Sequence, residues 1–301
     1  MKRRQFIKTS ALGFVATATV PFIYHKEIAA QSVNPQAVWI ENGTPAQLLQ
    51  SAMQELGGMS SFISRGDVVV IKPNIGWDRA PEHAADTNPE LIKEIVKACY
   101  SAGAKTVKVF DRTCNNPLRC YLNSKIEEMA KQAGAEVSQI RKNRFTDIKI
   151  KNGEIIKEWP IYRDYLEADK VINVPIAKHH SLCRVTLGMK NLMGVMGGNR
   201  GSIHSDFDIK LNDINSEIMP TLTILDAYRV LMDNGPVGGD LSDVQLRKTL
   251  IASTCTVSVD YLALELFGLQ LDDVSHIKKA AERGLNRFDL QKLNIKRIKL
   301  S

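Results

Sequence analysis

The sequence lacks the short motifs that mark the commonest cofactor-binding folds. Its 301 residues contain no G-x-G-x-x-G dinucleotide fingerprint, no P-loop and no G-x-S-x-G nucleophile elbow. The five cysteines include no pair at C-x-x-C spacing, so this chain alone is not expected to bind a ferredoxin-type iron–sulfur cluster. The identity of any cofactor therefore stays open at this point.

The sequence also lacks the charge distribution of a nucleic-acid-binding protein. The formal net charge is +7, but the basic excess lies in the first 30 and the last 19 residues. Nucleic-acid-binding domains usually carry their basic residues on one face of the folded body. We therefore expect no nucleic-acid partner.

No apolar stretch near the N-terminus is long enough for a spanning helix, which needs about 20 residues. The basic segment Lys2-Arg3-Arg4-Gln5-Phe6-Ile7-Lys8 precedes a mildly hydrophobic stretch over residues 9–24. This arrangement resembles a twin-arginine signal peptide, which we place at residues 1–30. The twin-arginine translocation machinery is then a partner. The mature protein would be periplasmic or extracellular, or tethered to the membrane if the leader is not cleaved.

Short β-branched runs alternate with helical patterns through residues 31–301. Strands are predicted over residues 67–73, 106–111, 136–137, 169–175, 221–226 and 249–253, and helices over residues 88–103, 124–132, 257–266 and 274–283. This alternation predicts a single α/β domain with a layered, mainly parallel sheet and flanking helices. Asn152-Gly153, between apolar segments, predicts an inserted β-hairpin.

Polar residues follow several of the predicted strands, where ligands bind in open parallel sheets. Lys72 and Asn74 end one strand, Asp111 another and Asn173 a third. We expect these side chains to meet at one edge and to orient a ligand. Asp226 ends a further strand, although aspartate at such positions also serves as a turn or helix cap.

Residues 178–204 are rich in glycine and basic side chains and contain three of the six histidines. Lys190 and Arg200 are predicted to anchor an anion, and Lys190, His180 and His204 to act in catalysis as charged or acid–base groups. The residues predicted to contact a ligand or cofactor are Lys72, Asn74, Asp111, Asn173, Lys190, Asn191, Gly194 and Arg200.

Two other interpretations of this segment stay open. A metal could be held by His179, His180, Cys183 and His204, although their spacing matches no zinc pattern. Alternatively, the segment is a solvated loop with structural histidines. Cys114 and Cys120, on either side of Asn115-Asn116-Pro117, are either a disulfide after export or two free thiols.

Several of these motifs, in this order, resemble the family called domain of unknown function 362. They are Lys72-Pro73-Asn74, Asn88-Pro89-Glu90, Met189-Lys190-Asn191-Leu192-Met193-Gly194, His204, Leu225-Asp226, Asn234-Gly235-Pro236 and Val259-Asp260. The resemblance spans about residues 65–285. It implies export by the twin-arginine route and, in some relatives, an added iron–sulfur module that this chain lacks.

The order and rough spacing of His180, Lys190 and His204 are also similar to the catalytic region of nickel-pincer lactate racemases. In those enzymes a lysine and histidines hold a cofactor and move protons. The flanking residues differ, so this likeness is an analogy only.

Two functions of different classes follow. The first is an exported α/β protein that binds an anionic small molecule or cofactor in a cleft at the strand ends and carries out redox or proton-transfer chemistry there. The second is a non-catalytic periplasmic binding or maturation module that assists an exported redox or iron–sulfur partner. The sequence names neither the substrate nor the reaction.

Overall fold

A mostly parallel β-sheet organises residues 34–301, the part of the chain that the computed structural model describes. Its strands are β1 (Ala37–Glu41), β2 (Val68–Pro73), β3 (Thr106–Val109), β4 (Glu136–Val137), β7 (Lys170–Val174), β8 (Ile176–His180), β9 (Arg184–Thr186), β10 (Leu222–Leu231), β11 (Val244–Ser253) and β12 (Ile295–Lys299). Strands β5 (Phe145–Lys149) and β6 (Glu158–Tyr162) form a separate hairpin. The predicted leader, residues 1–30, lies outside the described residues.

The order of strands across the sheet is β12-β1-β11-β10-β7-β2-β3-β4, with β8 beside β10 and β9 beside β8. Neighbours pair in parallel except at β1–β11, β11–β10 and β8–β9. The predicted α/β class with a mainly parallel sheet is therefore confirmed.

Helices cover both faces of the sheet. They are α1 (Pro45–Glu55), α2 (Pro89–Ser101), α3 (Pro117–Asn123), α4 (Ile126–Gln132), α5 (Arg163–Leu166), α6 (Gly188–Asn191), α7 (Phe207–Ile218), α8 (Thr256–Ala263) and α9 (Ser275–Glu282). Successive residues of a strand face opposite sides of the sheet. Val69 and Ile71 therefore pack in the hydrophobic core between the sheet and α1–α4, whereas Val70 packs in the core between the sheet and α6–α9. Among residues 34–301, no helix has the length and apolarity needed to cross a membrane.

The predicted helix at residues 88–103 is confirmed as α2, and its start follows from local chemistry. The Asn88 side chain accepts a hydrogen bond from the Glu90 amide, and Pro89 occupies the first turn. The first amide groups of a helix have no hydrogen-bond partner within the helix. Asn88 supplies an acceptor for one of them, and Pro89 has no amide hydrogen that needs a partner.

The predicted hairpin is also present, but its turn differs from the expectation. Strands β5 and β6 pair antiparallel, with Phe145 opposite Tyr162, and a longer loop rather than a two-residue Asn-Gly turn joins them. The buried Asp213 carboxylate of α7 holds this loop, because it accepts hydrogen bonds from three successive loop amides at 2.7–2.8 Å. Arg283 donates to the same carboxylate at 2.8 Å.

The edge formed by β12 and β1 was not predicted. Strand β12 carries Lys296, Arg297 and Lys299 and pairs in parallel with β1 at the margin of the sheet. Edge strands often carry charged side chains that oppose pairing with other molecules, which hides the hydrophobic pattern of a strand. The basic C-terminal residues therefore belong to the sheet.

Candidate functional site

A cleft of about 420 Å³ opens beyond the carboxyl ends of the central strands. Three stretches of chain supply most of its wall: residues 74–77, 111–114 and 178–204. Asn74, Asp111 and Lys190 all line it, so the structure brings the predicted strand-end groups and the glycine-rich segment to one place.

The Asn191 amide joins these elements at the floor of the cleft. Its Oδ1 accepts hydrogen bonds from Lys72 Nζ at 3.2 Å and from Asn74 Nδ2 at 3.1 Å. Its Nδ2 donates to the Lys72 carbonyl at 3.1 Å and to Asn173 Oδ1 at 2.8 Å. All four hydrogen-bonding positions of the amide are thus used, which fixes the ends of β2 and β7 to α6.

Lys72 and Asp111 form a buried ion pair beneath the cleft, with Nζ and Oδ1 2.9 Å apart. The second carboxylate oxygen accepts a hydrogen bond from the Ile75 amide at 2.7 Å. Burial lowers the pKa of Lys72, and the Asp111 charge opposes that shift. Gly194 packs directly on the pair: a Cβ atom there would lie 1.8 Å from Asp111 Oδ1 and 2.6 Å from Lys72 Nζ.

Asp260, in α8, supports the short helix α6 from below. Its carboxylate accepts hydrogen bonds from the Gly188 amide at 2.6 Å and the Met189 amide at 2.8 Å. Burial raises the pKa of Asp260 to about 7, although both amides favour the carboxylate. These contacts place the next residue, Lys190, in the cleft.

The Lys190 ammonium is buried without an acidic partner in the described part of the chain. Its Nζ lies 3.2 Å from His204 Nε2 and 4.9 Å from the centre of the Phe207 ring. Because His204 Nδ1 donates to the Gly201 carbonyl at 3.1 Å, Nε2 carries the lone pair that accepts from Lys190. Burial lowers the pKa of both Lys190 and His204.

His180 lies beside His204, with ring centres 6.1 Å apart and planes 21° from parallel. Its Nδ1 accepts a hydrogen bond from the Leu182 amide at 3.1 Å, so the neutral ring carries its proton on Nε2. Burial, with the neighbouring Lys190 charge, lowers the pKa of His180 to about 3. The ring is therefore neutral at physiological pH.

Lys178 is a cleft residue that sequence reasoning did not single out. Its ammonium donates to the Ala85 carbonyl and to Asn74 Oδ1, and lies 5.9 Å from the centre of the Trp77 ring. Burial lowers the pKa of Lys178 and raises the pKa of the nearby Asp86, and the opposite charge of each group counteracts the shift of the other. Lys178 is the first residue of the basic segment 178–204, but β8, the strand that directs its side chain into the cleft, was not predicted.

Arg200 differs from its predicted role as an anion anchor. Its terminal nitrogens donate to the carbonyls of Arg112 at 2.7 Å and Thr113 at 2.9 Å. Arg112 in turn donates to the carbonyls of Met196 at 2.8 Å and Gly198 at 3.1 Å. The two guanidinium groups therefore bind two facing loops together, and the Arg200 donors are used within the protein.

The predicted metal-ligand set of His179, His180, Cys183 and His204 does not assemble. Within residues 34–301, no three His, Cys, Asp or Glu side chains are placed to hold one metal ion. His179 and His180 are adjacent on β8, so they face opposite sides of the strand. His179 Nδ1 accepts a hydrogen bond from the Gly235 amide instead.

The fold and cleft define an α/β protein with a lysine- and histidine-lined site at the strand ends of a mostly parallel sheet. Its family follows from the sequence: the chain belongs to the family Domain of unknown function (DUF362), whose model matches residues 69–265. A thylakoid-associated protein of Synechocystis is 27% identical over 256 residues, covering 82% of this chain and 77% of that protein.

Two solved structures are similar to this chain at low sequence identity. The lactate racemase apoprotein from Thermoanaerobacterium thermosaccharolyticum matches with a TM-score of 0.49, 13% identity and 77% coverage of this chain. A protein from Thermotoga maritima matches with a TM-score of 0.43, 9% identity and 76% coverage. This chain spans 57% and 60% of the lengths of those two proteins, respectively.

Proposed function

We propose that the cleft binds a small organic acid whose carboxylate pairs with the Lys190 ammonium. One observation carries this proposal: Lys190 is only 8% exposed, yet forms no ion pair with any residue among 34–301. Burying an unpaired ammonium is unfavourable, and a bound carboxylate would supply the missing charge. The neighbouring Lys72 and Lys178 already lie close to Asp111 and Asp86.

The two imidazoles supply complementary groups for such a ligand. His180 Nε2 carries a proton and has no hydrogen-bond partner in the described residues, so it can donate to a ligand oxygen. His204 Nε2 carries a lone pair, which becomes available as a base when the Lys190 ammonium turns to the carboxylate. Between redox and proton-transfer chemistry, this arrangement favours proton transfer.

We expect Lys190→Met to weaken carboxylate binding by about 30-fold or more, or about 2 kcal/mol, because the ligand charge loses its partner. The melting temperature should not fall, because Lys190 forms no ion pair within residues 34–301 and the substitution removes a buried charge. Isothermal titration with short carboxylic acids, with and without a neighbouring hydroxyl, measures the affinity. Binding by the unsubstituted protein should also weaken as rising pH deprotonates Lys190, whose pKa is lowered by burial.

Lys97→Met is the matched control, because Lys97 lies half-exposed on α2 and its loss removes the same charge. Its affinity should equal that of the unsubstituted protein. If both variants lose binding equally, the attraction is non-specific. A large drop in melting temperature for Lys190→Met alone would make Lys190 a structural residue, and failure of every acid to bind would refute the proposal.

A specific surface favours the second function, a non-catalytic module for an exported redox or iron–sulfur partner. Leu118 and Leu122 are 70% and 64% exposed, one helical turn apart on α3, beside the 111–114 wall. Exposed apolar neighbours of this kind occur at protein contacts. Intact mass and metal analysis of protein from its native host separate the two functions: a retained redox partner supports the module, and a bound acid supports the first proposal.

We further propose that residues 1–30 direct export by the twin-arginine route. The paired Arg3-Arg4 and the following Phe6-Ile7-Lys8 support this proposal. Replacing Arg3 and Arg4 together with lysine should abolish export of a reporter fused after residue 30, although the charge is unchanged. Lys8→Arg is the control and should be exported normally. Export of the double variant through the general secretory route would contradict the assignment.

A further inference from the structure

The cleft contains a thiol that neither proposed function uses. Cys114 is exposed, whereas the other four cysteines are buried. Its Sγ lies 3.2 Å from a terminal nitrogen of Arg200 in the cleft wall. Its amide donates to the Gly76 carbonyl at 2.7 Å, which fixes the position of the residue.

Positive charge surrounds this thiol. Arg112, Lys178 and Lys190 line the cleft together with Cys114, and Lys72 lies beneath it on Asp111. Asp111 and Asp86 offset two of them, so Lys190, Arg112 and Arg200 leave an excess of positive charge. Nucleophilic cysteines occur in partly exposed, positively charged surroundings of this kind.

Two further groups indicate that a ligand belongs in the cleft that contains this thiol. Thr186, only 4% exposed, lines the same cleft, and its hydroxyl has no hydrogen-bond partner among residues 34–301. Lys190 is buried without an acidic partner among the described residues. Buried polar groups in folded proteins are normally satisfied, so both groups point to a polar, anionic occupant.

We propose that Cys114 is a nucleophilic residue of the cleft and that the bound acid carries an electrophilic carbon, as an α,β-unsaturated carboxylic acid does. The inference rests on the proposed function, because Lys190 would hold the carboxylate. The sulfur forms a bond to the β carbon, the double-bond electron pair moves to the α carbon, and that carbon takes up the proton lost by the thiol. The step adds S–H across the double bond and needs no other reagent.

Two probes that differ in charge test the nucleophile. Iodoacetate and iodoacetamide both form a carbon–sulfur bond and release iodide, but only iodoacetate is an anion. Relative to N-acetylcysteine, Cys114 should favour iodoacetate over iodoacetamide by about tenfold or more, because a positively charged cleft concentrates anions. Lys190→Met should reduce this preference, Lys97→Met should retain it, and Cys114→Ser should remain unlabelled by intact mass.

The electrophile is tested with fumarate, whose adduct should appear by intact mass on the unsubstituted chain and not on Cys114→Ser. If Cys114 shows the same preference for iodoacetate over iodoacetamide as N-acetylcysteine, or if another cysteine is labelled, the assignment of Cys114 is overturned. Lack of a fumarate adduct would overturn the ligand class. Titration of Cys114→Ser with saturated acids keeps the two proposals apart: retained binding preserves the first even if the thiol proves inert.

Discussion

Gly194→Ala is expected to destabilise the protein by about 3–5 kcal/mol and to abolish ligand binding, because it breaks the buried Lys72–Asp111 pair. The new Cβ would lie 1.8 Å from Asp111 Oδ1 and 2.5 Å from Lys72 Cε. Neither side chain can move freely, since Ile75 holds the Asp111 carboxylate and Asn191 holds the Lys72 ammonium. Urea unfolding and calorimetric titration measure the two effects.

Gly201→Ala provides the matched comparison within the same cleft. A Cβ at Gly201 would meet only Asn199 Oδ1, at an ordinary contact distance of 3.4 Å. This variant should unfold near the same urea concentration as the unsubstituted protein. Equal stability of the Gly194 and Gly201 variants would show that the Lys72–Asp111 pair tolerates displacement, and the packing argument would then be wrong.

Asp213→Asn is expected to destabilise the protein by about 3 kcal/mol at neutral pH, because the largely buried Arg283 guanidinium loses its buried carboxylate partner and keeps only the more exposed Glu154 at 3.3 Å. The Asp213 side chain is fully buried and receives three loop amides besides Arg283. An asparagine amide would direct N–H groups at some of these donors. The loss should appear in urea unfolding, with increased hydrogen exchange in the loop between β5 and β6.

The same carboxylate predicts a pH dependence of stability. Burial alone would raise the pKa of Asp213, but the three amides and Arg283 outweigh it and lower the pKa below the ordinary 3.8. The folded state thus binds this proton less tightly than the unfolded state. Its stabilisation is full above the unfolded-state pKa and declines as the pH falls through the folded-state value.

The unsubstituted protein and Asp213→Asn should therefore converge in stability toward acid pH. Asp147→Asn, at an exposed position on β5, should follow the unsubstituted protein at every pH. A constant difference between the unsubstituted protein and Asp213→Asn down to low pH would assign the loss to altered packing rather than to the charge.

The parts of the fold that were predictable are those in which local chemistry and burial agree. The run at residues 67–73 is apolar because both faces of β2 are covered, and Asn88 and Pro89 specify a helix start by themselves. Strands β1 and β12 depend on pairing between residues 258 positions apart. No local pattern encodes such pairing, so these strands were missed.

The residues of the cleft also fall into those that local sequence makes predictable and those whose placement depends on distant contacts. The carboxyl ends of parallel strands lie at one edge of a sheet, and this rule was sufficient to predict that Lys72, Asn74 and Asp111 lie close together. The direction of each side chain depends on contacts that sequence does not show. Arg200 turns to the carbonyls of residues 112 and 113, and His179 faces away from its neighbour His180.

The placement of β1 also constrains the order in which the protein can fold during synthesis. Its two neighbours in the sheet, β11 and β12, pair with it through residues 208–258 positions further along the chain. The backbone groups of β1 can pair with these neighbours only after both strands have been made. Folding on that side of the sheet must therefore follow synthesis of β11 and β12, whereas β2, β3 and β7 can pair with one another earlier.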